Sequence, residues 1–144
     1  MRIAIVNLMT KTVDNPQNIL KAINFPKPYI ETDEDSNIIE LAKELAKLGH
    51  EVTVYASDVF FPLKTIDQSI KGLSVRYLPT RLTSLFPYLY FQFTPTLYNE
   101  LLNNKYDIVQ SAEFFQTGTI ISAMAASKKS FPVVIWHELG VQQR

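Results

Sequence analysis

SNIIELAKELAKLGHEVTVYA, residues Ser36–Ala56, spells one helix, one tight turn and one buried strand. Ser36 is the expected helix N-cap, its hydroxyl accepting an orphan backbone N–H, and Asp33, Glu34 and Asp35 put negative charge at the positive end of the helix dipole. Ile38, Ile39, Leu41, Ala42, Leu45, Ala46 and Leu48 recur at helical spacing, while Glu40, Lys43, Glu44 and Lys47 take the other face. That pattern predicts an amphipathic helix packed on a core. Gly49 follows where a left-handed C-cap is least costly, and Val52-Thr53-Val54-Tyr55-Ala56 is β-rich and mostly apolar. A helix running straight into such a strand is half of a parallel βαβ unit.

The other half is the start of the chain. Arg2-Ile3-Ala4-Ile5-Val6 is a nearly continuous apolar run, as expected of a strand covered on both faces, and is too short for a signal h-region or a membrane span. Further strands are expected at Tyr106–Gln110 and Phe131–Trp136, each after a helical pattern, with Leu97, Leu101 and Leu102 facing inward from a helix over Pro95–Asn103. The expected fold class is therefore α/β, a Rossmann-like three-layer α/β/α domain with a mainly parallel sheet.

With 144 residues, 47% of them hydrophobic, the chain suffices for one domain with a sizeable core. Fourteen basic and fourteen acidic residues cancel, and without a basic surplus or cluster nucleic acid is not the expected partner. The absence of cysteine removes disulfides, thiolate metal sites and cysteine nucleophiles, and suits the cytoplasm.

Asn7 to Asp35 is far longer than the roughly two to six residues usual for a βα loop. Within it, Asn15–Ile23 suits a short helix and Phe25–Tyr29 an extended segment. Ligands of open parallel sheets bind outside the carboxyl ends of the strands, so this loop is expected over the site, with Asn7 at its root. A surface insertion without ligand contact is the alternative.

Three stretches together, Ile38–Val54, Tyr106–Val109 and Pro132–Gly140, resemble the N-terminal domain of GT-B glycosyltransferases of the family 4 type. Order and spacing agree over nearly the whole chain. The resemblance implies a retaining transferase that uses a nucleotide sugar as co-substrate, without a further cofactor or metal, in the cleft between two Rossmann-like domains. This chain corresponds to the first, residues 1–144, which in such enzymes mainly binds the acceptor, a sugar or a lipid-linked molecule. The donor-binding domain is expected in a longer protein or a partner chain, and the isolated half is not expected to turn over. A non-catalytic Rossmann-like binding or regulatory module is the alternative.

His137 follows the last strand, and the histidine at the matching family position sits by the donor sugar and helps orient it. An imidazole suits that place because it donates or accepts hydrogen bonds and can carry charge near neutral pH. A strand-end histidine satisfied by a backbone carbonyl is the alternative, and Glu138 beside it is a substrate-binding candidate. His50, in the turn before a strand, reads as structural. Gln110–Gly118 resembles the family loop that often reads His-x-His-Glu. Here Gln110 and Ala112 replace the histidines, leaving Glu113 or Gln116 to contact an acceptor hydroxyl, unless Glu113 caps the following helix. Phe114-Phe115 is expected to pack, and Ile120, Ile121, Ala123, Met124 and Ala125 to form core.

One departure stands before Ser36, where the family carries a glycine pair whose N–H groups approach a phosphate. Thr32 and Asp33 take those positions as substrate-binding candidates, inside Glu31-Thr32-Asp33-Glu34-Asp35, whose carboxylates repel phosphate. A neutral sugar acceptor, a rearranged loop or altered activity would each account for this. A divalent cation is a weaker reading, since the spacing matches no calcium loop. The aromatic stretch Phe86–Tyr98 suits packing first; an acceptor platform or peripheral membrane contact stays open.

Overall fold

A computed structural model describes residues 1–8, 37–57, 71–81, 93–112, 114 and 116–136. Strands β1 (Arg2–Val6), β2 (Glu51–Ser57), β3 (Leu73–Leu78), β4 (Ile108–Ala112) and β5 (Val133–Trp136) form one sheet in the order β3-β2-β1-β4-β5. Every pairing is parallel, with Ile5 beside Val54 on one side and Gln110 on the other. Helices α1 (Asn37–Lys47), α2 (Thr96–Asn103) and α3 (Thr117–Lys129) complete the Rossmann-like three-layer α/β fold.

Alternation along β1 divides the core in two. Ile3 and Ile5, with Val52 and Val54, face Ile39, Ala42 and Ala46 of α1. Ala4 and Val6, with Tyr55 and Val109, face Leu97 and Leu101 of α2 and Ile121 and Ala125 of α3. Helices on both faces explain why β1 and β2 carry continuous apolar runs instead of alternating ones.

The end of α1 follows from Gly49. At φ +89° it lets its own N–H reach Ala46 O at 2.9 Å and the His50 N–H reach Leu45 O at 3.2 Å, the paired bonds of a Schellman cap. Leu48 corrects the expectation that it faces the core: it falls in the turn beyond the last helical residue and is 74% exposed. Glu40–Lys43 and Glu44–Lys47 pair along the outer face at 2.7 and 2.6 Å.

Two strands are shifted from their expected bounds. β4 begins at Ile108, not Tyr106, because Ile3 is the first residue of β1 to find a partner there. Asp107 is spent on the approach, where its N–H bonds Arg2 O and its carboxylate accepts the Arg2 N–H at 2.7 Å. β5 begins at Val133 because Pro132 has no N–H, although Pro132 O accepts from Val109 N–H at 3.0 Å. β3 was not anticipated; it is an edge strand, half-buried in alternation, paired with Val52–Ser57.

α3 departs most from its expectation. Ile121 and Ala125 are buried, but Ala123 is exposed and Ile120 and Met124 are each 56% exposed. Phe114, expected to pack, is 59% exposed, and Phe115 lies outside the described residues. Ser36 as a cap, the elements expected at Asn15–Ile23 and Phe25–Tyr29, and aromatic residues 86–92 lie outside the described residues. Among the described residues no helix is long and apolar enough to cross a membrane.

Candidate functional site

From β1 the chain moves outward through β2 to β3, then returns through α2 to the opposite side of β1 as β4. Reversing direction while keeping right-handed crossovers puts the helices on opposite faces, α1 on one and α2 with α3 on the other. β1 and β4, adjacent in the sheet, are therefore followed by helices on opposite faces. Between the carboxyl ends of these two strands lies the crevice where open α/β sheets take their ligands.

Two amides meet that edge. Asn7, 5% exposed, follows directly on β1, and its backbone N–H donates to Tyr55 O at 3.0 Å, extending the β1–β2 ladder past the strand end. Gln116, 3% exposed, is the N-cap of α3 with φ −82° and ψ 145°. Its carbonyl accepts from Thr119 N–H at 3.0 Å and Ile120 N–H at 3.3 Å, while its side chain makes no capping hydrogen bond. The capping position is thus Gln116, whereas Glu113 lies outside the described residues.

Gly118 sets the distance between these elements. A Cβ there would stand 2.9 Å from Val6 Cγ1 and 3.2 Å from Leu8 Cδ1, so the first turn of α3 lies directly on the exit of β1. Its partner restraint is a hydroxyl pair. Thr119 Oγ1 donates to Ala112 O at 3.3 Å and lies 2.8 Å from Ser111 Oγ. A threonine hydroxyl has one proton, so Ser111 is then the donor within the pair. Together they tie the end of β4, Ser111 and Ala112, to the first turn of α3. Sequence reasoning missed Ser111 and Thr119, for nothing distinguishes a buried Ser/Thr pair from loop chemistry until β4 and α3 are placed.

This end of α3 has no acidic side chain in its first turn, while Lys128 and Lys129 occupy its last. The helix dipole is thereby complemented at its far end. Among the described residues near the carboxyl ends of β1 and β4, Asn7, Ser111, Gln116 and Thr119 are neutral.

Beneath the edge, α2 is fastened to the sheet by polar contacts. Tyr55 OH donates to Glu100 Oε2 at 3.2 Å and lies 2.7 Å from Tyr106 OH, and Arg76 reaches the same carboxylate oxygen at 2.6 Å. Burial, then the bond with Tyr106, holds the Tyr55 phenol well above its ordinary value of 10.0. Burial by itself would lower the Arg76 guanidinium, but Tyr55 and Glu100 outweigh it and hold it above its ordinary range. Neither group changes charge near neutral pH, so the cluster is a fixed support.

Of the residues nominated by sequence, the fold brings Asn7 and Gln116 to one edge. Thr32, Asp33, Glu113, His137 and Glu138 lie outside the described residues, although β5, which ends at Trp136, directly precedes His137 in the sequence. His50 lies at the opposite, amino-terminal edge, its Nδ1 3.5 Å from the Met1 amino group. Among the described residues no group of three or more histidine, cysteine, aspartate or glutamate side chains could hold a metal ion.

A family model described as Glycosyltransferase Family 4 matches residues 37–139, from α1 to three residues past β5. No curated protein and no solved structure gives a significant match.

Proposed function

The chain belongs to Glycosyltransferase Family 4, and from there we propose that it is the acceptor-side half of a retaining glycosyltransferase, residues 1–144 forming the N-terminal domain of a GT-B enzyme. A sugar passes from a nucleotide donor to an acceptor hydroxyl: the bond from the anomeric carbon to the nucleotide phosphate breaks, the acceptor oxygen bonds that carbon on the same face, and the hydroxyl proton is released. The donor-binding domain is supplied by a longer chain or a partner chain.

What supports this reading is the reversal of strand order between β1 and β4 in a domain of this family, with Asn7 and Gln116 buried at the carboxyl edge of those strands. A side-chain amide both donates and accepts, so it pairs with a sugar hydroxyl in either sense. In this reading Asn7, Gln116, Glu113 and Glu138 contact sugar hydroxyls, and His137 orients the donor sugar at the reacting carbon. Thr32 and Asp33 close over the acceptor. Their acidic surroundings disfavour a phosphate there and favour a neutral sugar, free or lipid-linked. The enzyme works in the cytoplasm, with peripheral contact to a membrane when its acceptor is lipid-linked.

The test is to incubate the full-length protein with UDP-glucose, UDP-N-acetylglucosamine and GDP-mannose, each with and without a panel of sugar acceptors, and follow nucleotide release. Acceptor-dependent release from one donor, with product retaining the donor's anomeric configuration by NMR, is expected. A folded full-length protein that releases nucleotide from none of them would overturn the proposal and leave a non-catalytic module, and inverted product would overturn the retaining mechanism.

A further inference from the structure

We draw no further inference here: the strongest candidate, the exposed apolar edge made by Val134, Ile135 and Trp136 of β5 with Ile120 and Met124 of α3, carries nothing because no feature of the structure shows what covers it.

Discussion

Gly118 is the residue at which the crevice is least tolerant of change. Val6 is β-branched and buried in a central strand, so it cannot swing away from a methyl group placed 2.9 Å from its Cγ1. Gly118→Ala gains some helix propensity but overpacks a filled site, and a net loss of roughly 1–2 kcal/mol in chemical denaturation is expected. Tyr55 makes a second prediction at this scale. Tyr55→Phe loses its hydrogen bonds to Glu100 and Tyr106, costing about 1 kcal/mol at neutral pH. Because the folded state holds the phenol above its ordinary 10.0, unfolded chains lose that proton first as pH rises, and stability falls. The advantage of Tyr55 over phenylalanine is therefore full below about pH 10 and shrinks above it, as denaturant midpoints at neutral and alkaline pH will show. Gln116→Ala should raise the acceptor KM of the full-length enzyme about tenfold, the worth of one or two hydrogen bonds, with the donor KM little changed. Asn7 was legible as a candidate from its place at the root of the long loop after β1, and Gln116 from the resemblance of Gln110–Gly118 to a family loop. Their burial was not, since it depends on how α3 is laid against the sheet, and Gly118 meets the exit of β1 across more than a hundred residues of sequence.

At the scale of elements, α3 separates what periodicity reveals from what packing decides. It is rich in apolar and small residues all round, so neighbouring Ile120 and Ile121 look equivalent in the sequence. The structure buries Ile121 against Ala125 and the β4 face while Ile120 stays outside. Ile121→Ala should cost about 2–4 kcal/mol and Ile120→Ala less than about 0.5 kcal/mol, a contrast that thermal unfolding of the two variants measures directly. α1 was read with its boundaries nearly correct because its charged face and Gly49 mark both orientation and end; Leu48 escaped only because it follows the last turn. β3 went unread for the opposite reason. Half-buried at a sheet edge, it alternates Ser74 and Arg76 with Leu73 and Val75, and it lacks the apolar run that marks β1 and β2.

For the whole molecule, strand–helix alternation conveyed the layered parallel fold, and the reversal of strand order about β1 places the crevice. Propensity does not encode that order; it comes from which faces must be covered, because β1 is apolar on both sides and needs helices on each. The candidate site is less legible than the fold because it is shared among distant segments, of which β1, β4 and the start of α3 lie among the described residues. In the proposed function His137, next in sequence to β5, is the residue assigned to the reacting carbon, where it would orient the donor sugar. The decisive measurement is the rate of nucleotide release by the full-length protein and by its His137→Ala variant, with circular dichroism to establish that both are folded. A loss of about 100-fold or more is expected, the scale of removing one well-placed hydrogen-bonding group from a transition state; equal rates in the two proteins would remove His137 from the reaction.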